Sequence, residues 1–218
     1  MKQRSGAVLV ALMVVGCAAP TRRVPPQQIP ADPVENLAAA IEADAKRSDR
    51  ETDSKVRGEL AAEAGQKADA CIAREPQAAP CLYGRAVALG LEARAHPVRA
   101  GELLSTMLGS LASAEAADPT YDQAGPARVR ALVLLRAPGW PLGPGDADAG
   151  LLAARRAATL RPQYPPNLLA LAEALAKTGD AAGARESYQR ATSAAQALPD
   201  TEDRGDWLRE ADEGLRRH

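Results

Sequence analysis

Phenylalanine is absent from all 218 residues, and aromatic residues together make up only 3%. Without large rings the core must be filled by alanine and leucine, which suits closely packed helices. It suits a sheet poorly, because strands favour β-branched and aromatic residues. Histidine is nearly absent as well: His96 precedes a proline and His218 stands at the end of the chain. No Ser-His-Asp or Cys-His set can be assembled around them, and no phosphate-cradling glycine loop is present. Two thiols with no nearby histidine would leave zinc half-coordinated. Carboxylate pairs such as Glu35 with Glu42, or Asp203 with Asp206, read as solvated helix faces. The expectation is a chain without catalytic apparatus, metal or cofactor. No apolar run reaches the roughly 20 residues that a membrane-spanning helix requires.

What is present begins at the N-terminus. Lys2 and Arg4 precede an apolar run from Ala7 to Val15, followed by Gly16-Cys17. This is the charged-then-apolar order of a secretory signal over residues 1–16. Val14-Val15-Gly16-Cys17 resembles the lipobox of bacterial lipoproteins, in which the cysteine thiol takes the lipid, so Cys17 is the expected lipidation site. Ala18 follows it rather than an aspartate, which favours a periplasmic domain anchored to the outer rather than the inner membrane. Of the 27 basic residues, Lys2 and Arg4 go with the signal, leaving 25 against 28 acidic ones. That balance argues against nucleic acid as a partner, since binding phosphates needs a basic surface. Residues 17–32, with Pro20, Pro25, Pro26 and Pro30, read as a proline-rich tether that could span some 45 Å at about 3.1 Å per residue.

Residues 33–218 read as one helical repeat domain. Alanine-rich amphipathic segments predict helices near 34–47, 51–74, 80–95, 98–117, 121–136, 146–160, 166–178, 180–197 and 203–217, the last as a capping helix. Breaks at Pro76, Pro119 and Pro162 recur every 43 residues, and a fixed period of this kind is the mark of stacked helical hairpins. In the clearest unit, Asn167 to Leu175 leads to Thr178-Gly179-Asp180, after which Ala184, Tyr188 and Ala191 follow at helical spacing. Small residues at Ala172, Ala184 and Ala191 permit close approach, and Gly179 turns the chain. This is the TPR pattern of about 34 residues, lengthened here by insertions such as Arg136 to Pro144. The fold class expected is an all-α, TPR-like hairpin array, an α-solenoid.

Cys71 closes one predicted helix and Cys81 opens the next. Side by side in a tight hairpin, their Cα atoms would fall within disulfide range, and an export compartment permits the bond. The alternative is that both are small buried fillers.

One stretch stands out chemically. Tyr121 to Arg128 and Leu134 to Pro141 frame a Pro- and Gly-rich loop bearing Trp140, one of two tryptophans. Arg128 and Arg136, eight residues apart, share a helix face. Trp140 either caps the seam between hairpins or contacts a ligand.

The motifs Gly125-Pro126-Ala127-Arg128, Leu134-Leu135-Arg136-Ala137-Pro138-Gly139-Trp140-Pro141, Gly145-Asp146, Pro162-Gln163-Tyr164-Pro165-Pro166-Asn167 and Ala172-Glu173-Ala174-Leu175 together resemble the T-component family of TRAP transporters. Members are periplasmic lipoproteins of TPR-like hairpins. The likeness covers about 70 residues; Val129-Arg130 and Val133 depart from it where the family often has glycine and an aromatic. It implies association with the periplasmic solute-binding protein of a TRAP system, with or without an apolar small ligand. The competing reading is an adaptor for envelope or pilus assembly. The inner surface made by first helices is the usual binding face of such arrays. The expected site is therefore walled by Tyr121, Trp140 and Tyr164, with Arg128, Asn167 and Glu173 as polar contacts. The alternative is that the aromatics only seal repeat seams and Arg128 pairs with Glu173.

Overall fold

A computed structural model describes residues 33–218; the signal segment, Cys17 and the tether lie outside the described residues. The elements are α1 (Val34–Arg50), α2 (Ser54–Arg74), α3 (Ala79–Ala95), a 3-10 turn (Pro97–Arg99), α4 (Ala100–Ala117), α5 (Tyr121–Arg136), α6 (Ala147–Leu160), α7 (Pro165–Lys177), α8 (Ala181–Gln196) and α9 (Glu202–Arg217). Each hairpin boundary has a local cause. Asp53, Asp146, Asp180 and Thr201 accept hydrogen bonds from backbone N–H groups that open α2, α6, α8 and α9, satisfying donors with no partner inside the helix. Prolines occupy the first turns of α3 and α7, where no N–H is missed. Gly179 turns α7 into α8 at φ +91°, a conformation glycine adopts without steric cost.

The core is a chain of overlapping clusters. Ile41, Ala61, Ala64, Ala68, Ala88 and Leu91 join α1, α2 and α3; Tyr83, Ala86, Met107, Leu111 and Ala114 join α3 and α4. Ala131, Leu135, Ala153, Ala154 and Ala174 join α5, α6 and α7, and Leu168, Ala172, Ala184, Tyr188 and Ala211 join α7, α8 and α9. Each cluster is shared by successive helices, the arrangement expected of a solenoid. Absent side chains set the spacing: a Cβ on Gly84 would sit 2.9 Å from Ile41 Cδ1, and one on Gly150 2.9 Å from Leu135 Cγ.

The helices nest as sequential hairpins, and their contacts fix the direction of curvature. The backbones of neighbouring odd helices lie close together, α1 with α3, α3 with α5, α5 with α7 and α7 with α9, whereas even helices reach one another only through long side chains, as where Arg156 of α6 pairs with Glu115 of α4 at 3.5 Å. The odd helices therefore form the inner face. Among the described residues no helix is long and apolar enough to cross a membrane.

Cys71 and Cys81 lie at the facing ends of α2 and α3, fully buried, with Cα atoms 5.2 Å apart and their sulfurs bonded. Two expectations need correction. The helix expected from Tyr121 runs regularly only after Ala124, because Asp122, Gln123 and Ala124 adopt left-handed conformations at φ 46°, 55° and 65°. Pro126 thus stands near the start of the regular helix, not in its interior. Trp140 caps no seam: it is 91% exposed on a loop tied down by Gly145 N–H to Pro138 C=O and Asp146 N–H to Leu134 C=O.

Candidate functional site

A cleft of about 310 Å³ opens on the inner face near the start of α5, α7 and α9. Every odd helix supplies it: Glu42 and Lys46 from α1, Tyr83 and Val87 from α3, Asp122 and Arg128 from α5, Tyr164 and Pro166 at the head of α7, and Asp203 and Trp207 from α9. These residues lie far apart in sequence, and only the curvature of the array brings them together.

One wall is the left-handed turn. A left-handed helical residue other than glycine costs roughly 1–2 kcal/mol, and three in succession persist only if the surroundings hold them. Arg128 donates from Nη1 to the carbonyls of Asp122 (3.2 Å) and Gln123 (3.4 Å), and from Nη2 to the Asp122 carboxylate (2.7 Å). Asn167, fully buried on α7, donates from Nδ2 to Gln123 C=O at 2.9 Å and to Ala157 and Arg161 carbonyls. Its Oδ1 accepts from Arg128 at 3.2 Å. Tyr83 completes the clamp by donating its hydroxyl to Asp122 Oδ2 at 2.9 Å. Burial pushes the Tyr83 hydroxyl well above the ordinary phenol range, and the adjoining Asp122 adds to the shift. Gly125 is required by the same packing, since a Cβ there would lie 2.5 Å from Asp122 Oδ2 and 2.9 Å from Tyr83 Oη.

The aromatic wall is built from two edge-on pairs: Tyr164 with Trp207 at 5.7 Å and Tyr83 with Tyr121 at 5.4 Å. Arg128 lies over the Tyr164 ring, 5.3 Å from its centroid, in the geometry of a cation–π contact. Burial, with Glu42 and Asp122 nearby, raises the Tyr121 hydroxyl to about 12. Burial also raises the Glu42 carboxyl, and Asp122 adds to it, against the opposing pull of Lys46 and Arg128. The rim carries two ion pairs from the first helix to the last, Lys46 with Asp203 at 3.0 Å and Arg50 with Glu202 at 2.8 Å. Both are solvent-exposed, so each contributes at most about 1 kcal/mol.

Of the residues singled out from the sequence, Arg128, Asn167 and Tyr164 meet here, with Tyr121 packed behind Tyr83. Glu173 does not join them: it pairs with Arg136, which donates from Nη2 at 2.6 Å, at the other end of α5 and α7. There a larger cleft of about 500 Å³ is lined by Arg136, Glu173, Lys177, Tyr188, Glu210 and Arg217. Its walls are mostly long charged side chains that already pair or face solvent, so the aromatic cleft is the better candidate. Arg128 and Glu173 do not pair with each other. Arg128 and Arg136 do share a face, each reaching α7 at its own level. Trp140 belongs to neither cleft. Glu42 is half-buried and lines the cleft, which corrects its assignment to a solvated helix face; Tyr83, Asp122 and Trp207 carry no site signal in the sequence beyond the position of Asp122 beside Gly125-Pro126. Among the described residues no group of three or more His, Cys, Asp or Glu side chains is placed to hold a metal ion.

No family model matches the sequence, and no curated protein matches it. The fold is similar to the crystal structure of a thermophilic TPR protein from Thermus thermophilus. The likeness covers 82% of this chain and 90% of that one, with TM-score 0.56 and 21% identity. At that identity it shows the fold alone, an all-α array of TPR-like hairpins, and function must be argued from the site.

Proposed function

We propose that this TPR-like array is a lipid-anchored periplasmic scaffold that serves a TRAP-type uptake system, taking a segment of the solute-binding protein in its inner cleft. One observation carries the reading: all five odd helices converge on a cleft with an aromatic wall and a rigidly held arginine. Aromatic and arginine side chains dominate binding energy where proteins meet. The lipid anchor at Cys17 and the transporter link rest on the sequence motifs described above. Five charged side chains line the cleft, which favours a polypeptide segment over a wholly apolar ligand, because burying charges without partners is costly. An adaptor for envelope assembly would use the same cleft for a different protein. Titration of the mature chain with the solute-binding protein encoded beside the TRAP permease separates the two. The uptake reading expects saturable binding that weakens at least about tenfold in Tyr164→Ala/Trp207→Ala. Absence of binding to the wild-type chain would leave only the adaptor.

A further inference from the structure

The charges of the inner cleft do not cancel. Lys46 is taken by Asp203 at 3.0 Å, and Arg128 by Asp122 at 2.7 Å together with two carbonyls and Asn167. Glu42 alone, half-buried on α1, makes no hydrogen bond or ion pair with any described residue. Three carboxylates thus face two cations in one cleft, and the unmatched one lies where water is partly excluded. A half-buried carboxylate with no direct hydrogen-bond or ion-pair partner carries a desolvation cost, and a cation seated against it offsets that cost. The aromatic wall fits the same occupant. Trp207 and Tyr164, packed edge-to-face, both line the cleft, and guanidinium and ammonium groups bind aromatic rings, as Arg128 already does on Tyr164. The volume, about 310 Å³, is at the small end of ligand sites. It admits one long side chain and its neighbours, not a helix.

We propose that the cleft takes an arginine side chain carried on an extended segment of the partner, its guanidinium at Glu42 and its stem against Tyr164 and Trp207. This rests on the reading that the cleft holds a partner segment and adds the charge that the segment carries.

The test uses an end-capped pentapeptide of four prolines around one central arginine, with counterparts carrying citrulline or glutamate in its place. Arginine amide serves as a small cation. Binding to the folded chain is followed by fluorescence anisotropy or calorimetry at low salt. The arginine peptide should bind, the citrulline peptide at least about tenfold more weakly and the glutamate peptide not at all. Glu42→Gln should abolish the preference for arginine over citrulline without lowering the melting temperature. Equal binding of arginine and citrulline peptides, no binding of any peptide, or an unchanged preference in Glu42→Gln would overturn the proposal. Arginine amide binding as tightly as the peptide would overturn the extended-segment part. If Trp207→Ala loses the solute-binding protein while Glu42→Gln keeps it, the cleft remains the partner site and only the arginine assignment falls.

Discussion

The Arg128 guanidinium and the Asn167 side-chain oxygen lie 3.2 Å apart, and both side chains donate to the carbonyl of Gln123. One residue is on α5 and the other on α7, so the hydrogen bond that joins two repeats also fixes the left-handed turn forming a wall of the cleft. Asn167→Ala would remove four hydrogen bonds of a fully buried side chain, three donated to the Gln123, Ala157 and Arg161 carbonyls and one accepted from Arg128. Each carbonyl keeps one other donor, so the cost is that of the bonds themselves, about 0.5–1.5 kcal/mol each, and a loss of about 2–4 kcal/mol is expected in urea unfolding. Loss below about 0.5 kcal/mol would show that the turn holds without this clamp.

Gly125 and Gly65 make a paired test of packing against propensity. A methyl on Gly125 meets Asp122 and Tyr83, whereas one on Gly65, in α2, meets nothing within 4 Å. Gly125→Ala should destabilise by about 1–3 kcal/mol through overpacking. Gly65→Ala should stabilise by about 0.5–1 kcal/mol, because alanine is the better helix former. Calorimetry of both variants reads the two signs directly.

Cys71 and Cys81 close a loop of ten residues. In the chain-entropy model a loop that short stabilises by about 2–3 kcal/mol. The oxidised protein should therefore melt several degrees above its reduced form and above Cys71→Ser/Cys81→Ser. Alkylation of two thiols in exported, non-reduced protein would show that the cysteines only fill space.

Glu42 gives stability a dependence on pH. Its carboxyl is raised in the folded chain by burial and by Asp122, with Lys46 and Arg128 opposing; Tyr83, Tyr164 and Asp203 face the same cleft. The folded state holds this proton more tightly than the unfolded one. The resulting stabilisation is fully present below the ordinary glutamate value and is lost as pH rises through the raised folded value. Glu42→Gln should therefore melt above the wild type at pH 7, with the difference shrinking toward pH 4. A wild type more stable than Glu42→Gln at pH 7 would contradict this environment.

Much of the fold was legible because its causes are local. Alanine and leucine at helical spacing, with Pro76, Pro119, Pro162 and Gly179 as breaks, locate the helices without reference to anything distant. Arg128, Tyr164 and Asn167 were legible because the inner face of a hairpin array follows from the repeat. The left-handed turn was not, because the nearby Arg128 can hold Asp122 and Gln123 only once Asn167 and Tyr83, each far off in sequence, complete the clamp. Glu42 reads as solvated and Trp207 carries no signal for a related reason: they sit on the first and last helices, and only the curvature of the whole array turns them toward one cleft. Trp140 misled because a loop dense in proline and glycine fixes a shape without fixing the direction in which its side chains point.

The most direct measurement is photocross-linking in the cell envelope from a benzoyl-phenylalanine placed at Trp207, inside the cleft, or at Leu152, which is 71% exposed on α6. The account predicts a discrete adduct with the solute-binding protein from position 207 and none from position 152. An adduct from position 152 with nothing from position 207 would contradict it and move the binding surface to the outer face.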